Sequence, residues 1–141
     1  MKGNMADYFT NFSLILPIKD DAQKDYAIKL AEQANSHRYH DEPLPESFPA
    51  ALKDELEDWN FETEATEDGI WLNSESGGID AVCAFIQHLL QKFDPKGSVA
   101  FEWSHDCSKP RTDAYGGGAA FITAKEIKTM NTSEWLRSVG A

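Results

Sequence analysis

The residues able to do chemistry gather between positions 104 and 118, where the chain reads Ser104-His105-Asp106-Cys107-Ser108-Lys109-Pro110-Arg111-Thr112-Asp113-Ala114-Tyr115-Gly116-Gly117-Gly118. One thiol, one imidazole, two cations and three successive glycines share this stretch. Glycine lets backbone amides come close to an anion, and Lys109 and Arg111 would add charge to it. Lys109, Arg111, Gly116, Gly117 and Gly118 are therefore candidate ligand-binding residues. Against this, no P-loop or dinucleotide pattern is present, and the glycines lead into a strand rather than a helix. His105 and Cys107 lie two apart, which on a strand puts them on one side. They are weak catalytic candidates, a thiol with a neighbouring base. A tetrahedral metal site built on His105, Asp106 and Cys107 would need a second ligand pair, and no CxxC or matched HxxxH supplies one. No metal and no cofactor is expected. The plainest reading makes the segment a bulged connection whose glycines allow packing against Trp103 or Trp71.

Charge marks a second place. The net charge is −11. Between Asp41 and Asp68 stand eleven acids and one base, Lys53, a net of −10 in one fifth of the chain. Charge runs usually form a solvated face that keeps a protein soluble. The alternative is a surface for a basic protein partner. Asp54, Glu57 and Asp58 fall on the polar side of one helical stripe, and Glu62 and Glu64 share one face of a strand. Like charges placed so close cost stability. The same field would repel phosphates, so direct nucleic-acid binding is not expected.

These residues need elements to position them. Phe12, Leu14, Leu16 and Ile18 alternate as a strand that ends near Pro17. Ile15 on its other face predicts that both faces are partly covered. Asp20 or Asp21 caps a helix carrying Ala22, Tyr26, Ala27, Leu30, Ala31 and Ala34. Phe48, Leu52, Leu56 and Trp59 predict a short acidic helix. Phe61, Thr63 and Ala65 form a strand, Asp68-Gly69 a hairpin turn, and Ile70 to Leu72 the returning strand. Ile79, Val82, Cys83, Ile86, Leu89, Leu90 and Phe93 make the strongest helix, with Cys83 an inert core thiol and His88 solvated off its stripe. Val99, Phe101 and Trp103 form a strand that pairs with Ala119 to Thr123 across a long loop. A last strand or turn follows at 125–130, then a short helix through Trp135 and Leu136.

This order resembles a ferredoxin-like β-α-β-β-α-β sandwich, an antiparallel sheet with helices on one face. The resemblance is architectural. The segment 41–58 would be an acidic insertion, and the C-terminal strand and helix an extension. The 141 residues are expected to form one domain, with 1–8 disordered. No apolar stretch approaches the ~20 residues needed to span a bilayer. Two cysteines, Cys83 and Cys107, make no disulfide framework, which points to a reducing, cytoplasmic setting. The expected function is a non-enzymatic module that engages a basic partner through residues 41–68. The alternative is an anion- or small-molecule-binding protein, or a small enzyme, working through the loop 105–118.

Overall fold

The computed structural model describes residues 8–111 and 114–140. The chain is mixed α+β. Six strands form one antiparallel sheet in the order β2-β3-β1-β4-β5-β6. The strands are β1 (Tyr8–Leu16), β2 (Glu62–Thr66), β3 (Gly69–Ser74), β4 (Ser98–Cys107), β5 (Gly116–Thr123) and β6 (Ile127–Asn131). Four α-helices accompany them: α1 (Asp21–His40), α2 (Ala50–Lys53), α3 (Ile79–Phe93) and α4 (Thr132–Ser138). The expected disorder of residues 1–8 lies outside the described residues except at Tyr8, which opens β1.

The sheet extends past the four strands of a ferredoxin-like frame, with the strand expected at 119–123 paired to β4 and a sixth strand beyond it. The strands β5 and β6 continue it past β4, so its order differs from that of a ferredoxin-like sheet alone. The C-terminal segment forms a regular strand because each of residues 127–131 finds an antiparallel partner on β5.

Helices cover one face. Phe12, Leu16, Ile70, Leu72, Phe101, Ala120 and Ile122 are buried together with Ala27, Leu30, Ala31 and Ala34 of α1 and seven residues of α3. The start of α1 is set by Asp20, whose Oδ1 accepts the Gln23 amide at 3.0 Å. Its end is set by Asp41 at φ 54, with His37, Arg38 and His40 in the last turn favouring the dipole.

Two expected segments come out differently. The acidic helix over 48–58 is a single turn, α2, followed by a 3-10 turn at Leu56–Asp58. Four acids crowd positions 54, 55, 57 and 58, which disfavours a continuous helix. Arg38 at the end of α1 also donates to the Leu56 and Glu57 carbonyls, while the Leu56 carbonyl accepts the Trp59 amide in the 3-10 turn. The insertion nonetheless reaches the core. Its Phe48 and Leu52, and Trp59 and Phe61 just after it, are each 3% exposed or less.

The glycine-rich loop is shorter than expected. Pairing of β4 with β1 runs to Cys107, and its pairing with β5 begins at Gly116, so only residues 108–115 connect the two strands. His88 is not solvated either: its Nε2 lies 2.7 Å from the Tyr26 hydroxyl, and burial, then the Lys92 charge, lowers its pKa. The Cys83 thiol is pushed up to about 12 by burial first, then by Asp80 and Glu55, in keeping with an inert core thiol.

Candidate interaction face

Strand alternation sorts every sheet side chain onto one of two faces. Leu72 is buried on the helix side, so Thr63 opposite it faces that way, and Glu62 and Glu64 face the other. Cross-strand pairing then aligns rows on the uncovered face. One row runs Glu64, Trp71, Ile15; the next runs Glu62, Asn73, Ser13. Farther across the sheet, Glu102, Ala119 and Met130 form a row, and so do Ala100, Phe121 and Lys128.

Large apolar groups stand on this face without cover. Ile15 is 49% exposed, Trp71 36%, Phe121 46% and Met130 46%. Antiparallel sheets with one open face ordinarily present polar residues outward, and these four positions break that rule. Ile15 was expected to be partly covered; within the described residues it meets solvent instead. Trp71 is held in place, its indole N–H donating to Ser13 Oγ at 2.8 Å. The face is acidic along its β2 edge. The base on these rows, Lys128, sits 3.3 Å from Glu126.

The five acids expected to act together are split by the fold. Glu62 and Glu64 are exposed on the open face beside Trp71. Asp58 turns to the helix side, where its Oδ2 accepts the Ala81 amide at 3.3 Å. It thereby serves the start of α3, whose own cap, Gly78, has no side chain. Asp54 and Glu57 lie exposed on the insertion. Crowding there is real: the Glu55 carboxyl is pushed up by burial first, then by Asp80, Asp58 and Asp54.

A raised folded value means that the protonated carboxyl is favoured in the folded state. Stability therefore falls as pH rises from the unfolded value through the folded one, and the penalty is complete at neutrality. Glu55→Gln is expected to stabilise the protein at pH 7, by about 0.5 kcal/mol or less since the group is only partly buried and solvent screens its neighbours, and to have no effect where Glu55 is already protonated. Thermal melts of both proteins at pH 7 and pH 3.5 check this.

The residues of the glycine-rich segment are mostly structural. His105 Nδ1 lies 2.8 Å from Thr10 Oγ1 on the neighbouring strand. Cys107 is buried, and its sulfur accepts the Lys109 amide at 3.5 Å. The imidazole and thiol share a strand face, but each bonds elsewhere. Arg111 reaches the Tyr8 hydroxyl at 3.3 Å. Gly117 donates its amide to Thr132 Oγ1 at 3.1 Å. A Cβ on Gly118 would run into the Trp103 ring and the Met130 carbonyl, so the glycine there lets the indole lie across β5. That is the packing role against Trp103 expected as the plainest reading. No group of three His, Cys, Asp or Glu among the described residues is placed to hold a metal ion. No described helix is long and apolar enough to cross a membrane.

No protein-family model matches the chain, and neither does any curated protein or solved structure. Sequence reasoning missed the open face itself. Its one signal was Ile15, an outward apolar residue in a strand whose other face already supplied the core.

Proposed function

We propose that the protein is a non-enzymatic binding module that engages a basic partner through the uncovered face of its sheet. The observation that carries this reading is the row Glu64–Trp71–Ile15, with Glu62 beside it. Exposed apolar groups rimmed by charge of one sign mark an interaction surface. The rim acids favour a partner that presents lysine or arginine next to large apolar side chains, steered in by charge and held by apolar contact. The acidic stretch 41–68 contributes through Glu62 and Glu64, while Asp54 and Glu57 add to the long-range field. We also read β1-α1-β2-β3-α3-β4 as a ferredoxin-like frame, supported by the neighbour order of those four strands, with β5, β6 and α4 added to it.

The test is a calorimetric titration with an amphipathic peptide of lysine and leucine at 50 and 300 mM salt. Saturable one-to-one binding is expected, weakening about tenfold or more at the higher salt. Absence of binding at either salt, or binding indifferent to salt, would contradict the reading.

A further inference from the structure

A cleft lies at the end of the sheet where β1 begins and β4 ends. Thr10, Trp103 and His105 share the face of Phe12 and Phe101, near the start of β1 and the end of β4. Together with Tyr8 and Tyr115, and with Arg137 of α4, they line a cleft of about 440 Å³. That volume falls in the range of small-molecule sites, ~300–1,000 Å³.

Of the three glycines, Gly117 lines the cleft. Gly116 and Gly118 sit directly across from His105 and Trp103, and Thr132 Oγ1 and the Trp103 ring take the places their side chains would fill.

One acid lines the cleft, Asp106, and its carboxylate accepts the Asn11 side-chain amide at 3.2 Å; the other polar groups that converge here favour an anion. The Tyr8 hydroxyl already accepts from Arg111, which leaves its own proton to donate. Thr10 holds the His105 ring at Nδ1, and Nε2 has no partner among the described residues. Arg137 has no ion pair or hydrogen bond to a described side chain. A guanidinium, a phenol and an oriented imidazole thus face one space beside the Trp103 ring. The indole offers a flat apolar wall.

We infer that this cleft binds a small organic anion, a planar apolar body bearing a carboxylate or phosphate, with Arg137 and Tyr8 on the anionic group and Trp103 against the ring. The cleft carries the expected anion-binding role to different residues. Arg111 takes part through Tyr8, and Gly117 lines the cleft; Lys109, Gly116 and Gly118 are not among the lining residues. The cleft shares no lining residue with Glu62, Glu64, Trp71 and Ile15, and the inference does not depend on the proposed partner surface.

The test is a titration of the ¹⁵N-labelled protein with 2-naphthoate, and in parallel with neutral 2-naphthalenemethanol. Saturable shifts of the Trp103 indole and Gly117 amide signals are expected with naphthoate, with the alcohol binding about tenfold more weakly, the size of a charge-assisted hydrogen bond. Arg137→Gln, an exposed position, is expected to keep the thermal midpoint and remove the preference for the anion. Three results would overturn the inference. They are equal binding of acid and alcohol, an Arg137→Gln protein that still prefers the acid, and shifts confined to Trp71 and Phe121 or absent at the solubility limit.

Discussion

Trp59→Ala is expected to destabilise the protein by about 3–5 kcal/mol, the cost of deleting a fully buried indole. Trp59 has no exposed surface, and its ring centroid lies 4.9 Å from that of Phe61 and 5.5 Å from that of Phe85. It therefore ties the acidic insertion to both β2 and α3. Domains of this kind hold only ~5–15 kcal/mol in total, so a large part of the stability rests on this residue. Trp135→Ala removes the same side chain from α4, where it is 57% exposed, and should cost well under about 1 kcal/mol. Urea unfolding of the two variants makes the comparison. A small loss for Trp59→Ala would mean that the insertion is an appendage and not part of the core.

The double variant Glu62→Lys, Glu64→Lys should weaken binding of the lysine–leucine peptide by about tenfold or more, mainly by slowing association. Both side chains are exposed on an edge strand and have no ion pair among the described residues. Folding stability should therefore change by no more than about 0.5 kcal/mol. Reversing Asp54 and Glu57 instead should weaken binding only slightly. Those two lie on the insertion, and they act at a distance that salt screens within ~10 Å. Equal losses for the two pairs would mean that only overall charge matters. Stopped-flow association rates at 50 mM salt separate these outcomes.

Much of the frame is legible from the residues. The alternation Phe12-Leu14-Leu16, the Asp20 cap and the long stripe from Ile79 to Phe93 each follow a local rule, and the structure keeps all three. What was not legible depends on distant partners. The crowded acids at 54, 55, 57 and 58 hinted that the helix after Pro49 would be short, but the contact of Arg38 with the Leu56 carbonyl could not be read from them. The glycine-rich segment looked like a long loop because the strand pairing of Cys107 with Tyr8 lies far away in sequence. The candidate face was hidden for a related reason. Glu62, Glu64, Trp71 and Ile15 come from three strands, and only the register of β2, β3 and β1 sets Glu64, Trp71 and Ile15 in one row with Glu62 in the next. Conversely, the spacing of Asp54 and Asp58 suggested a shared surface, but Asp58 is committed to the start of α3.

The central claim is that the uncovered sheet face, not the acidic insertion as a whole, meets a basic partner. Mapping amide and indole shifts of the ¹⁵N-labelled protein during titration with the lysine–leucine peptide tests it most directly. The account predicts that the largest changes fall on Ser13, Ile15, Glu62, Glu64 and the Trp71 indole. Changes centred on Asp54, Glu57 and their neighbours in the insertion, with Trp71 and Ile15 unmoved, would contradict it.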